Sequence, residues 1–122
     1  MKIGELAERS GVSIDTVRFY ERRGVLPPAP RTASGYRTYT AATVERLRLA
    51  RRLQQLGFTL DEVIDALAAH DAGSATCASE RWRLDAVLAR IDERVEGLLA
   101  LRRQVGAVRQ ACDQGDCLFT SG

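Results

Sequence analysis

The sequence lacks long apolar runs, and it contains few cysteines and a single histidine. No stretch approaches the ~18 consecutive apolar residues of a membrane span, and residues 1–5 lack the apolar segment of a secretory signal. We therefore expect no membrane partner and a cytoplasmic location. The number of cysteines, three, is odd, which suits a reducing compartment better than a disulfide framework. The single histidine, His70, argues against a His-rich metal site and against much histidine acid–base chemistry.

The charges that are present are divided unevenly along the chain. The net charge is +2, and a content of 45% hydrophobic and 28% charged residues is ordinary for one globular domain of 122 residues. Residues 1–58 carry eleven Lys and Arg against five Asp and Glu, a net of +6, whereas residues 59–122 carry seven against eleven, a net of −4. This asymmetry favours an N-terminal half that faces nucleic acid, although solvated charges can also cluster by chance.

Helical periods dominate the chain, and start and stop signals divide them. Ser13 is a candidate N-cap for a second helix that ends near Gly24. Thr59 and Glu62 have the spacing of a capping box, which predicts the start of a fourth helix. Between the second and third helices, a turn at residues 34–35 is flanked by β-favouring residues, which predicts a short hairpin.

A long helix is predicted from about Ser79 to Arg109, a stretch without proline. Its apolar residues alternate steps of four and three, as in a coiled-coil seam. The residues of this seam are Leu84, Leu88, Ile91, Val95 and Leu98. A lone helix cannot bury such a seam, and a homodimer supplies the missing partner. The alternative is packing on the N-terminal half, which offers little surface for so long a helix.

A helix-turn-helix is predicted near the N-terminus. Ala7, Gly11 and Val17 have the required spacing, a pattern that is weak by itself. In this motif the second helix enters the major groove, and basic residues of the following hairpin suit a wing on the DNA backbone or minor groove. We expect Phe19 and Tyr39 to be core aromatics. The six residues predicted to contact DNA are Thr16, Arg18, Tyr20, Arg31, Tyr36 and Arg37.

A series of ordered runs resembles the MerR family of bacterial transcriptional regulators. The runs are Ile3-Gly4-Glu5-Leu6-Ala7, Gly11-Val12, Thr16-Val17-Arg18-Phe19-Tyr20-Glu21, Gly24-Val25-Leu26, Gly35-Tyr36-Arg37-Thr38-Tyr39 and Leu56-Gly57-Phe58-Thr59-Leu60-Asp61-Glu62-Val63. The resemblance covers essentially the whole chain and implies a mainly α fold. It implies a winged helix-turn-helix domain over residues 1–70, a linker and long antiparallel coiled-coil dimerisation helix over residues 71–110, and a metal-binding effector loop with its tail over residues 111–122.

The resemblance also implies a mechanism based on the shape of DNA. The homodimer binds double-stranded promoter DNA between two promoter elements. The spacer that separates them is too long for RNA polymerase to engage both. When a metal ion binds, the two DNA-binding domains shift, and the DNA bends and untwists so that RNA polymerase engages both elements. Deforming such a site costs several kcal/mol, so contacts biased by metal could control transcription.

The three cysteines stand at the two ends of the predicted long helix. Thirty-five residues of helix rise by about 52 Å, so Cys77 cannot meet Cys112 and Cys117 within one chain if the helix is continuous. In an antiparallel dimer, Cys77 of one subunit approaches Cys112 and Cys117 of the other. The dimer then holds two cross-subunit sites of three thiolates, each taking one metal ion. Asp113, Asp116 or water could complete the shell, although solvated loop polarity is the favoured role of the two aspartates.

Three thiolates select soft cations. In sensors similar to this chain, those for mercury, cadmium, lead or zinc have a cysteine at the start of the dimer helix, where Cys77 stands. Sensors of monovalent copper, silver and gold typically have serine there. The resemblance therefore implies a soft divalent metal (Hg, Cd, Pb or Zn) and activation of efflux or detoxification genes, with a monovalent copper-type sensor as an alternative. The loop between Cys112 and Cys117 and the tail behind it are short for this family.

Other functions are weaker interpretations of the same residues. Cys112 and Cys117 could form a redox switch, because a gap of four residues permits a disulfide after the loop bends. This alternative predicts a regulator of the same fold that responds to oxidants or electrophiles. Cys77 could be a small buried residue. An enzyme is disfavoured, because no nucleophile–base pair, phosphate loop or carboxylate constellation stands out.

Overall fold

The computed structural model describes residues 1–120. Over this range the chain is helical and forms no extended strand. The helices are α1 (Ile3–Ser10), α2 (Ile14–Arg23), α3 (Ala41–Gln55), α4 (Leu60–Asp71) and α5 (Cys77–Asp113). The chain divides into two compact units, Met1–Glu80 and Arg81–Gly122. Ser121 and Gly122, the last residues of the segment predicted to be the effector loop and tail, lie outside the described residues.

The core of the first unit is formed by the apolar faces of four helices. α1 packs against α2 and α3, and α3 packs against α4. Their largest fully buried side chains are Leu6, Val17, Leu47, Val63 and Leu67. Removing one such side chain from water stabilises the fold by roughly 1.5–3 kcal/mol. This packing fixes which face of α2 is buried and which face is exposed.

The predicted helix boundaries of the first unit are confirmed by their hydrogen bonds. The Ser13 hydroxyl accepts the N–H of Thr16 at 3.1 Å, and Gly24 ends α2 with a left-handed φ of 82°. Thr59 and Glu62 form the reciprocal capping box, with bonds of 2.8 Å and 3.2 Å. Each cap satisfies a backbone group that a helix end leaves without a partner.

The predicted hairpin is reduced to one antiparallel bridge between Arg31 and Arg37. A turn between them is closed by the Gly35 N–H, which donates to the Thr32 carbonyl at 2.9 Å. Prolines 27, 28 and 30 have no N–H, so the entering arm cannot extend the ladder. We call residues 31–37 the wing.

α5 begins two residues before the predicted Ser79 and ends four after the predicted Arg109. Its predicted seam is exposed: Leu84 by 50%, Leu88 by 56%, Ile91 by 44%, Val95 by 48% and Leu98 by 59%. None of the helices in residues 1–120 combines the length and apolarity needed to cross a bilayer.

Candidate DNA interface and thiol site

The exposed face of α2 carries the polar residues that the sequence predicted for DNA contact, with one exception. Arg18 is exposed. Thr16 is half-buried, and its hydroxyl lies 2.8 Å from the hydroxyl of Ser13 at the start of the helix. Arg18 is therefore open to solvent, whereas Thr16 takes part in the cap of the helix.

The exception concerns two adjacent aromatic residues of α2. Tyr20 is 4% exposed and its hydroxyl donates to Gln54 of α3, whereas Phe19 is 40% exposed. The cause is register, because Tyr20 lies three residues after the buried Val17 and shares its helix face. Burial raises the pKa of the Tyr20 phenol, and the charge of Arg51 opposes that shift. The prediction that Phe19 is a core residue is wrong, and we leave Tyr20 out of the DNA interface proposed below.

The wing presents its three predicted residues to solvent. The Arg31 guanidinium donates to the Gly35 carbonyl at 3.2 Å, which holds it across the turn. Tyr36 is 62% exposed, and the Lys2 ammonium lies 5.1 Å from its ring centroid. The third wing residue, Arg37, is half-exposed.

Glu21 ties the wing to α2. Its side chain is 7% exposed, and its carboxylate accepts hydrogen bonds from the Arg37 guanidinium and the Tyr39 hydroxyl. Burial, and then the hydrogen bond to Glu21, raise the pKa of the Tyr39 phenol. Tyr39 is 5% exposed, which confirms it as a core aromatic. The carboxylate therefore sets the position of Arg37 relative to the exposed face of α2.

An open cleft of about 660 Å³ lies between α2 and the wing. Its charged lining residues are Lys2, Arg18, Glu21, Arg22, Arg31 and Arg37. The single carboxylate among them is already paired, so the cleft is strongly cationic, as a surface for a phosphate backbone should be. Lys2 and Arg22 were not among the residues predicted from the sequence. Arg22 could have been found, because it lies four residues after Arg18 on the same helix face.

A turn at the end of α5 brings Cys112 and Cys117 together. The Asp116 N–H donates to the Ala111 carbonyl at 2.8 Å, and the Gly115 N–H donates to the Cys112 carbonyl at 3.1 Å. These are the two bonds of a Schellman motif, and Gly115 has the left-handed φ of 92° that the motif uses. The chain therefore reverses, and the Cys112 thiol donates to the Cys117 sulfur at 3.4 Å.

The environment of Cys117 favours its thiolate. The backbone N–H of Phe119 is the largest influence that lowers the pKa of this thiol, followed by the Cys112 thiol and the Thr120 hydroxyl. Thiolates are the form of cysteine that binds metal ions and attacks disulfides. The residues after the turn therefore supply hydrogen-bond donors to the Cys117 sulfur.

Cys77 is exposed and is the first residue of α5. The start of the helix is fixed by Thr76 and Ser79, whose side chains each accept the other's N–H at 3.0 Å and 2.9 Å. Asp113 and Asp116 are exposed. Across residues 1–120, no three His, Cys, Asp or Glu side chains of one chain form a group that could hold a metal ion.

A helix-turn-helix with a minimal wing and a cationic cleft, followed by a long helix, defines a class of DNA-binding transcription regulators. The chain belongs to the MerR family. It matches "MerR HTH family regulatory protein" over residues 1–70 and "MerR, DNA binding" over residues 44–108. Members of this family regulate transcription and are not enzymes.

Three known proteins show the extent of the similarity. The mercuric resistance operon regulatory protein of Bacillus cereus is 36% identical over 121 residues, which is 97% of this chain and 89% of the relative. The lead(II) complex of PbrR691 from Ralstonia metallidurans CH34 has a TM-score of 0.86 at 33% identity, over 99% of this chain and 91% of that one. HiNmlR, a MerR family regulator bound to promoter DNA, has a TM-score of 0.59 at 25% identity, over 94% and 90%.

Proposed function

We propose that this chain is a cytoplasmic, homodimeric, metal-responsive regulator that distorts promoter DNA when a soft divalent metal ion binds. The observation that carries the proposal is the pair of thiols of Cys112 and Cys117, 3.4 Å apart at the end of α5. The relatives named for mercury and lead support a metal effector, and the relative bound to promoter DNA supports the partner. The target genes we expect are those of efflux or detoxification.

The thiol pair fits a soft cation. Two sulfurs that each bind a tetrahedral zinc at about 2.3 Å lie about 3.8 Å apart, so the pair at 3.4 Å needs to open by only a few tenths of an ångström. The Schellman turn holds both sulfurs on the same side of the chain end. A bound divalent ion would supply positive charge that holds the thiolates together. Asp113, Asp116 or water could add a fourth donor.

The third thiolate is proposed to come from Cys77 of the second subunit. Cys77 begins α5 and Cys112 lies one residue before its end, so two antiparallel copies would bring these residues together. The exposed seam of Leu84, Leu88, Ile91, Val95 and Leu98 supports a helix pair. Each dimer would then have two equivalent sites, one at each end of the paired helices.

On the DNA side, we propose contacts from Thr16, Arg18, Arg31, Tyr36 and Arg37. The charges of the cleft would hold the phosphate backbone, while the exposed face of α2 would meet base edges in the major groove. The two DNA-binding domains of a dimer would contact the same duplex. A change in structure at the ends of α5 when metal binds would therefore alter the bend and twist of the DNA between them. RNA polymerase bound at the same promoter would respond to that change.

The decisive experiment uses mixed dimers of two variants. Cys77→Ser in one chain and Cys112→Ser with Cys117→Ser in the other leave each homodimer without a three-thiol site. A mixed dimer, however, regains one complete site if the ligands come from both subunits. We expect one metal ion per mixed dimer and restored in vitro transcription with Hg, Cd, Pb or Zn, measured against Ala78→Ser as the matched control. Metal bound by neither the mixed dimer nor wild type refutes metal sensing, and binding unaffected by Cys77→Ser refutes the cross-subunit site.

A thiol-redox regulator is the second candidate, favoured by the same distance of 3.4 Å. The two thiols would lose two protons and two electrons to an oxidant such as a small-molecule disulfide, and the sulfurs would close to about 2.05 Å. Anaerobic transcription separates the candidates. A response to metal without oxidant supports the metal sensor, whereas a response to oxidant that persists without metal supports the redox regulator.

A further inference from the structure

An aromatic ring stands on the exposed face of α2. At 100° per residue, Arg18, Phe19 and Arg22 project from one side of the helix, opposite the buried Val17 and Tyr20. Phe19 is 40% exposed, although it is among the most apolar residues of the helix. Single exposed apolar residues need no explanation by themselves, so the surroundings of the ring decide its significance.

The Phe19 ring has two guanidinium groups close to it. Those of Arg22 and Arg23 are 6.0 Å and 5.9 Å from its centroid. The Arg23 guanidinium also donates to Asp61 of α4 at 2.9 Å, in an exposed ion pair. The ring is therefore an exposed apolar group surrounded by positively charged side chains. Cations attract phosphates, whereas a phenylalanine can offer no hydrogen bond to a base.

We propose that Phe19 is a specificity-determining residue that contacts the 5-methyl group of a thymine in the major groove. This inference rests on the proposed binding of DNA by α2. The thymine methyl is the apolar group among the base edges of the major groove, and phenylalanine is a suitable side chain to meet it. The positive charge of the neighbouring arginines would attract the DNA backbone and bring the ring close to the base edges. Phe19 thus reads sequence while its neighbours supply charge.

The test removes single methyl groups from DNA. The full-length chain selects duplexes from a random-sequence pool, and each thymine of the selected site is then replaced by deoxyuridine. We expect one thymine per half-site at which methyl removal weakens wild-type binding about threefold to fivefold, as burial of one such group predicts. In Phe19→Ala the same replacement has no effect, and Phe19→Leu retains part of it. Both effects are measured as ratios of Kd.

Two controls distinguish base contact from other roles. Leu49→Ala removes a side chain of similar exposure, 38%, from α3 and should keep full sensitivity to the methyl group. The slope of log affinity against log salt should be the same in Phe19→Ala as in wild type, because no phosphate contact is lost. Equal methyl sensitivity in wild type and Phe19→Ala, no sensitive thymine, or a changed salt slope overturns the inference. Failure of the wild-type chain to select any duplex would refute the proposed DNA binding itself.

Discussion

Glu21 connects two parts of the proposed DNA interface, α2 and the wing, through one carboxylate. It accepts from Arg37 of the wing and from Tyr39 behind it while remaining 7% exposed. Charged pairs in such a position are weak evidence of net stability, but they fix geometry, and removal of one partner leaves the other without compensation. The position of the wing relative to α2 therefore depends on Glu21, whose charge is already paired with Arg37.

Glu21→Ala tests that role. The change leaves the Tyr39 hydroxyl and the Arg37 guanidinium without their acceptor, so the free energy of unfolding should fall by about 1–3 kcal/mol. Thermal unfolding followed by circular dichroism measures the loss. Glu45→Ala is the matched control, because its carboxylate is 73% exposed and its pair with Arg48 is local to α3. The control should change stability by no more than about 0.5 kcal/mol. Equal effects of the two variants would contradict a structural role for Glu21.

Asp71 gives a prediction about pH. Its hydrogen bond from Arg46, at 2.7 Å, lowers the pKa of the carboxyl below 3.8. A lowered folded pKa stabilises the fold above the unfolded value, and this contribution is lost as pH falls through the folded pKa. Because Asp71 is 53% exposed, solvent screens the pair, and Asp71→Asn should cost less than about 1 kcal/mol at pH 7.

The difference in unfolding free energy between wild type and Asp71→Asn should shrink as the pH is lowered below about 4. Urea denaturation at a series of pH values measures it, with Asp85→Asn on α5 as the control. A difference that grows toward acid would show that the Arg46 pair does not act on this carboxyl.

Among the elements, the turn that ends α5 determines the thiol pair. The bonds from Gly115 and Asp116 reverse the chain, and the left-handed φ of Gly115 permits the reversal. Nothing lies within 4 Å of a Cβ built at Gly115, so a substitution meets backbone strain rather than a clash. The turn can therefore be perturbed without filling space at the sulfurs.

Gly115→Ala should weaken metal binding about fivefold, since a left-handed conformation costs an L-residue about 1 kcal/mol. Competition with a chromogenic chelator measures the change. Gly106→Ala is the control, because Gly106 lies inside α5 with an ordinary φ and open space around it. Its alanine should leave metal affinity unchanged and favour the helix. Loss of affinity in both variants would mean that the turn has no special role.

The elements were largely predictable, and the site less so. Caps at Ser13 and Thr59 followed from side chains that bond their own backbone, a local effect that sequence spacing reveals. Phe19 and Tyr20 were exchanged because adjacent aromatics differ by 100° around the helix, and the packing of α3 decides which one is buried. Lys2 was missed because a fold, not a spacing, brings the N-terminus beside Tyr36.

At the scale of the whole molecule, the apolar seam of α5 is exposed to solvent in a single chain. Ile91→Glu places a charge in the middle of that seam, and we expect dimers to dissociate in sedimentation experiments. Ala89→Glu adds the same charge outside the seam and should remain dimeric. Metal binding with three thiolates should be lost in the first variant and kept in the second. A dimeric Ile91→Glu would show that another surface joins the subunits.

The cysteines at opposite ends of α5 also affect how such a sensor responds to its own abundance. If each site takes one thiolate from one chain and two from another, a monomer has no complete site, however much metal is present. At concentrations below the dimer dissociation constant, the number of working sites rises with the square of the chain concentration. A cell that makes too little of the regulator would thus respond only weakly to the metal. The metal concentration needed for a response would depend on the concentration of the protein as well as on that of the ion.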